Sequence, residues 1–503
     1  MISSLPPQPF KKDAGPAVLR IVLFAISLWF TCAVLYITLA RIAYPFDLEW
    51  MEGGSLVQLL RLLDGKPLYV APGLEYIPYI YPPFYYYLSA VLAKMTAVSW
   101  FLPLRLVSLG ASAGIALLIY KVVRSQTHSA YWAFIASGFF AATFQIGGAW
   151  FDIARVDMLF VFLLMAATFF LEKDTWPASL LAGLLFTCAF FTKQTAIFGL
   201  SCILAYVFIF RNRRVAILAG LVFLTSASAW VYFENIRSDG WFWYYVFTLP
   251  GLHSLPALGL AYLGQPLIIL VPVSIASGVG FVRFFSSPLL ALKDRGSLWL
   301  VFSLIMLVSS ITASLNPGSY NNNYIPFYAA ISILFGSRLP ELLEQFAIRR
   351  QSLRQALLYI LCIAQFVALF YSPLAQVPTS ADLQAGQALV ARLKAVEGDV
   401  LIPNHNTLAI LAGKRPYAHL IALQEIRGNF GRQETDGWNL LNSEISTALQ
   451  THKFSAIVLD QPNAIWADVP EYYTGNTIPY SSDAVFWPVT GGRTRPRTIY
   501  TRP

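Results

Sequence analysis

The sequence predicts a mainly α-helical bundle threaded through a membrane, followed by a small α/β domain, and three observations predict it. Of 503 residues, 57% are hydrophobic and only 12% charged, where soluble domains carry roughly 25% charge. The chain has a mean hydropathy of +0.58, and its apolar residues fall in long runs separated by short polar breaks. Such runs suit helices, which satisfy their own backbone in lipid. After about residue 373 the runs shorten and charges become frequent.

In chain order the runs predict spans at 18–40, 103–120, 130–150, 157–171, 177–192, 195–210, 215–233, 258–282, 297–314, 324–337 and 355–372, about eleven in all, within a domain 1–372. Segment 83–97, PFYYYLSAVLAKMTA, is short and rich in tyrosine, and carries Lys94. It reads as an interfacial helix closing a first outer loop, 41–100. That reading puts Lys11/Lys12, Lys121/Arg124, Arg211/Arg213/Arg214, Lys293/Arg295 and Arg349/Arg350/Arg354 on one side. By the positive-inside rule the N-terminus is then cytoplasmic, and the expected location is the inner (plasma) membrane, multi-pass. The polar-basic start followed by a long apolar run reads as an uncleaved anchor.

The remainder, 373–503, is expected outside the cytoplasm as an α/β domain. ADLQAGQALVARLKAVEG reads as a helix ending near Gly398, and NLLNSEISTALQTH as a second helix. DVLIPN (399–404) and FSAIVLD (454–460) read as buried strands. No Gly-rich phosphate loop follows either strand.

The net charge of +9 does not point to nucleic acid, because the basic residues sit at the ends of apolar runs rather than in one patch. Cys32, Cys188, Cys202 and Cys362 all lie in apolar runs and read as small core residues, without metal-ligand spacing. His253, His405 and His419 are isolated in the sequence and receive no role.

One topology gathers the unusual polar residues on the outer side. Asp47, Glu49 and Glu52 precede or open an amphipathic helix expected over Trp50–Leu63, ending at Asp64-Gly65. They read either as helix-terminal charges or as a reactive group of acids. Asp152, Arg155 and Asp157 form either a local ion pair or an anion site, since guanidinium suits phosphate. Lys193, in FTKQT, is either a snorkelling lysine or a phosphate partner. NPGSYNNNY, with Asn316, Tyr320, Asn321, Asn322, Asn323 and Tyr324, is either a capped turn or a set of donors for sugar hydroxyls. Trp241–Tyr245 reads as an interfacial aromatic belt.

FDLEWMEGG and YPPFYYYL, then the R-x-D turn, the lone outer lysine, the late polar turn and the C-terminal domain, resemble the polytopic glycosyltransferases of the GT-C fold. These include protein O-mannosyltransferases and the aminoarabinose transferase that modifies lipid A. The resemblance implies a sugar donor on a polyprenyl phosphate and a glycan, lipid or protein acceptor attacked outside the cytoplasm. It implies Asp47 as general base and Asp157 as second acid, with Glu49 beside them, and Arg155 and Lys193 on the phosphate. Glu52, Tyr81, Tyr320 and Asn323 are then candidate substrate contacts. The lysine that precedes PP in the aminoarabinose transferases is Tyr81 here. No cofactor is certain, although Asp47 and Asp157 leave room for a shared divalent metal. The chemistry fits an inverting transfer: a carboxylate takes the acceptor proton and cations stabilise the departing phosphate. Rival readings are a flippase or transporter of lipid-linked saccharides, a polymerase or ligase using them, and a silent scaffold.

Overall fold

The computed structural model describes residues 17–253, 264–275, 296–316, 318–428, 435–461 and 463–503. Lys11, Lys12, Lys293, Arg295 and most of the expected 258–282 span lie outside the described residues.

Apolar runs become helices at α1 Ala17–Arg41, α4 Phe101–Thr127, α5 Ala130–Ala142, α6 Asp157–Leu171, α7 Trp176–Phe190, α8 Ala196–Phe210, α9 Arg213–Arg237, α10 Ser297–Ser314, α11 Ile325–Ile348 and α12 Ser352–Ala368. Between α1 and α4 lie two short helices, α2 Glu52–Leu63 and α3 Phe84–Thr96. At 13 residues, α3 is too short to cross a bilayer upright, which takes ~20 residues. Among the described residues, four helices, α1, α4, α9 and α10, are long and apolar enough to cross a membrane, and α5, α6, α7, α8 and α12 are shorter apolar helices. The expected count of eleven spans therefore leans on elements shorter than a full crossing.

Helix ends follow the polar breaks. Ser129 caps α5 by accepting from Trp132 N, and Asn212 caps α9. The expected 130–150 span stops at Ala142, because 143–149 turns back with Gly148 and Ala149 at positive φ. The expected 324–337 span instead continues through Pro340 to Ile348. Large apolar side chains such as Phe30, Phe139, Trp299 and Phe302 fill the interior, whereas Ile21, Leu39, Leu221 and Val308 stay exposed on helix faces, as lipid contact requires. The cysteine expectation holds only for Cys362, since Cys32 and Cys202 are exposed and Cys188 half-buried. The aromatic belt is also corrected: Phe242 and Tyr245 are buried and Trp243 is exposed, and Phe242 packs edge-on against Tyr69.

The C-terminal unit has a four-stranded sheet in the order β1-β2-β4-β3. β1 (Val400–Leu401) runs parallel to β2 (Ala456–Leu459), and β4 (Thr498–Thr501) is antiparallel to both β2 and β3 (Thr474–Thr477). The first two strands occupy the expected runs. β3, TGNT, is exposed throughout and carries no apolar signal, so sequence reading missed it along with β4. The expected helices form as α13 Ser380–Lys394, opened by a Thr379–Asp382 capping box, and α16 Asp436–Gln450. Between them lie α14 Asn406–Leu411 and α15 Leu420–Arg427.

This unit is clamped onto the α1–α3 region. Ala418 N donates to Leu74 O at 2.9 Å, Leu74 N to Glu444 Oε2 at 2.9 Å, and Arg415 pairs with Glu75. Those contacts hold the C-terminal unit against the segment between α2 and α3.

Candidate active site

The acids of the loop after α1 separate into three environments. Glu52 opens α2, is completely buried, and meets Arg105 of α4 through two hydrogen bonds of 2.7 and 3.1 Å. Its carboxylate also accepts from Leu48 N at 2.7 Å and from Ala154 N at 2.6 Å. Arg105 spends its other donors on the carbonyls of Arg41, Ile42, Tyr44 and Phe46. A buried pair this fully hydrogen-bonded is a brace. The expectation that Glu52 contacts substrate is therefore corrected: its oxygens are occupied.

Glu49, also completely buried, is arranged differently. Oε2 accepts from Met51 N at 3.1 Å and stands 3.7 Å from Arg155 Nη1, while Oε1 has no hydrogen-bond partner. Burial pushes the Glu49 carboxyl up to about 8 against the pull of Arg155. That direction favours the neutral acid beside Arg155.

Arg155 is 5% exposed, yet its Nε and Nη1 donors have no hydrogen-bond partner. Nη2 donates weakly to the Tyr81 hydroxyl at 3.3 Å. The guanidinium lies over the Trp150 ring, 4.8 Å from its centroid, a contact that orients its plane. The turn before Trp150 needs Gly148: its φ is +83°, and a Cβ there would stand 2.7 Å from the Tyr320 ring. The local Asp152–Arg155–Asp157 ion pair suggested by spacing does not form. Asp152 pairs with Arg41, whose Nε is 2.9 Å away.

Asp157, the first residue of α6, accepts from Lys193 Nζ at 2.8 Å and from Asn322 Nδ2 at 3.0 Å, both on Oδ1, and Oδ2 is unpartnered. Lys193 projects from the α7–α8 turn. Burial alone would lower its pKa, and Asp157 reverses this and holds it above the ordinary lysine value. That turn is tied to the YIYPP segment, since Gln194 Nε2 donates to Ile80 O at 3.0 Å and Phe84 N to Phe191 O at 2.9 Å. Lys193 and Asp157 open into a cavity of about 330 Å³. Asn316, Asn322 and Asn323 line its polar part, and Phe160, Leu164, Phe198 and Met306 its apolar part.

Asp47 is half-buried, and its Oδ1 accepts from Thr407 Oγ1 at 2.9 Å. The amides of α2 do not claim it, so the helix-cap alternative fails. Desolvation pushes its carboxyl up to about 7, opposed chiefly by His405. Among the described residues no hydrogen bond or ion pair joins Asp47 to Asp157. Nor does any group of three or more His, Cys, Asp or Glu gather there as a metal set. The two acids have different partners, Thr407 for Asp47 and Lys193 with Asn322 for Asp157.

Two further expectations change. Tyr320 stacks on Trp150 with centroids 5.5 Å apart, and its hydroxyl meets Thr490 Oγ1 and Gly491 N, each at 3.3 Å. It anchors the C-terminal segment instead of facing a ligand. His405 and His419, given no role from sequence, are both buried at the interface with the first loop. Sequence reading also missed Arg105, Trp150 and Thr407. Arg105 carried a usable signal as an arginine inside an apolar run, whereas Thr407 carried none.

Residues 79–316 match the family model of Glycosyltransferase family 87. No curated protein matches the sequence. The fold is shared with ArnT from Cupriavidus metallidurans, solved bound to undecaprenyl phosphate, at a TM-score of 0.59 and 12% identity, covering 94% of this chain and 97% of that one. It is also shared with the archaeal oligosaccharyltransferase AglB from Archaeoglobus fulgidus, solved with an inhibitory peptide and a dolichol-phosphate. There the TM-score is 0.52 and the identity 12%, covering 88% of this chain and 69% of that one. The family match spans the segment carrying Arg155, Asp157 and Lys193, just under half of the chain, and the fold shared with ArnT extends over nearly the whole length.

Proposed function

We propose that the protein transfers a sugar from a polyprenyl-phosphate donor to an acceptor hydroxyl on the outer side of the plasma membrane, with inversion at the anomeric carbon. The observation that carries this is the cavity beside Lys193, where a cation, an acid and three asparagines meet an apolar channel between helices. A phosphate with a long hydrocarbon tail has that division of character. ArnT and AglB bind undecaprenyl phosphate and dolichol-phosphate in their structures, and the shared fold makes the same donor class a natural fit here.

In this reading Lys193 is the first contact of the phosphate. Arg155, which is not in the cavity wall but interacts with Asp157, is the second, using its free Nε and Nη1. Asp47 removes the acceptor hydroxyl proton as that oxygen attacks the anomeric carbon. The carbon–oxygen bond to phosphate breaks, its electron pair stays on the phosphate, and the two cations stabilise the resulting charge. A base with a pKa near the working pH is well placed for this step. Asp157 holds Lys193 and offers Oδ2 to a sugar or acceptor hydroxyl, and Asn323 borders the same space. Glu49, neutral beside Arg155, leaves the guanidinium available to the anion.

Binding of undecaprenyl phosphate to the purified protein, followed by native mass spectrometry, tests the donor class. Saturable binding that weakens about tenfold or more in Lys193→Ala supports it, as loss of one charge-assisted hydrogen bond of ~1.5–3 kcal/mol requires. Equal binding by wild type and Lys193→Ala removes this site assignment.

A further inference from the structure

The C-terminal unit reaches Asp47 through a constructed contact. Thr407 is fully buried and donates to Asp47 Oδ1 across 360 residues of sequence. Gly53 makes the room: a Cβ there would stand 2.9 Å from Asp47 Oδ1 and 3.0 Å from Thr407 Oγ1. Two residues before Thr407, His405 is buried with Nε2 at 2.9 and 3.1 Å from the two oxygens of Asp460. Asn404 Nδ2 adds a hydrogen bond to Asp460 Oδ2 at 2.9 Å. The sheet explains the meeting. β1 and β2 are parallel neighbours, so the residues following each strand, 404–407 and 460, emerge at the same edge.

We infer that the C-terminal unit completes the base site: Thr407 orients the Asp47 carboxylate, and the His405–Asp460 pair fixes the charge beside it. The three are positioning residues, and the inference rests on the reading of Asp47 as base. Without them, a carboxyl surrounded by protein and near Glu52 would be driven further toward its neutral form, which cannot accept a proton.

The charged and titratable surroundings are definite. Around Asp47, burial and Glu52 raise its pKa, whereas His405, the Thr407 hydrogen bond and Arg105 lower it. Tyr44, Glu49 and Tyr79 also feel its charge. For His405, burial lowers the value, and Asp460 and Asp47 raise it to a net increase. The other nearby histidine does not compete. His419 accepts from Ile421 N on Nδ1 at 3.2 Å, lies 3.1 Å from Trp50 O through Nε2, and is held by burial down to about 3. It stays neutral, leaving His405 as the histidine whose charge is felt at Asp47.

The test is an infrared pH titration of the full-length protein in lipid nanodiscs, which needs no substrate. The Asp47 carboxyl band is identified by its disappearance in Asp47→Asn. Its midpoint, near 7 in the wild type, should move upward by about 0.5 or more in pH in Thr407→Val and in His405→Gln. Thr407→Ser, which keeps the hydroxyl, should restore the wild-type midpoint. A midpoint unmoved in Thr407→Val overturns the inference, and that variant carries the test alone if His405→Gln does not fold. The parent reading is judged separately by transfer activity. An active Asp47→Asn removes the base, whereas an inactive Asp47→Asn with an unmoved Thr407→Val midpoint removes only the role of the C-terminal unit.

Discussion

Glu52–Arg105 and Glu49–Arg155 are two buried carboxyl–guanidinium pairs whose acids lie three residues apart, and they are built in opposite ways. In the first, backbone amides and carbonyls take up what the two side chains leave to each other. In the second, the two groups stand 3.7 Å apart, and one carboxyl oxygen and two guanidinium donors have no hydrogen-bond partner. Burying an unpaired polar group costs ~1–3 kcal/mol, so the second pair is held in a state that a ligand would relieve. The contrast separates a satisfied pair from an unsatisfied one although composition and position are nearly the same.

Breaking the brace gives the largest effect on folding. Glu52→Gln or Arg105→Ala leaves a buried charge alone, which costs ~3–5 kcal/mol. A large fall in the thermal midpoint of the purified protein is expected, and an unchanged midpoint would contradict the brace. Arg155→Gln should leave that midpoint nearly in place while removing most transfer from a polyprenyl-phosphate sugar. Equal destabilisation by the two arginine changes would erase the distinction.

Asp47→Asn should reduce transfer ~10²–10⁴-fold, the usual weight of a general base, with folding intact by size-exclusion chromatography. The pH dependence sharpens this. Transfer should fall as pH drops through about 7, where Asp47 gains its proton. Stability runs the other way. The folded-state value lies above the unfolded carboxylate value, so the contribution is full below the unfolded value and lost as pH rises through about 7. Thermal midpoints measured across that range should decline less in Asp47→Asn than in the wild type.

Tyr320→Phe gives the smallest effect. It removes contacts of 3.3 Å to Thr490 and Gly491 and should cost about 1 kcal/mol of stability. Undecaprenyl phosphate binding should be unchanged, and a tenfold loss would restore Tyr320 to the ligand site.

How far the sequence could be read follows from the same physics. Helices announce themselves through long apolar runs, and α6 and α10 begin and end where the runs do. The polar breaks marked Asp47, Glu49, Arg155, Asp157 and Lys193 as unusual because charge near lipid is expensive. Pairing was not legible. Arg155 sits between Asp152 and Asp157 in sequence, yet it turns to Glu49, because only tertiary packing brings α2, α4 and the α5–α6 turn together. Asn322 and Thr407 were invisible as partners for the same reason, as was His405, whose partner Asp460 lies on a neighbouring strand 55 residues away.

In the proposed reaction the unpartnered donors of Arg155 and the ammonium of Lys193 receive the phosphate of the donor. A structure of the protein with undecaprenyl phosphate tests it most directly. Phosphate oxygens are expected within hydrogen-bond distance of Lys193 Nζ and of Arg155 Nε or Nη1, with the hydrocarbon chain running past Phe160, Phe198 and Met306. A phosphate bound elsewhere, with Arg155 still unpartnered, would contradict it.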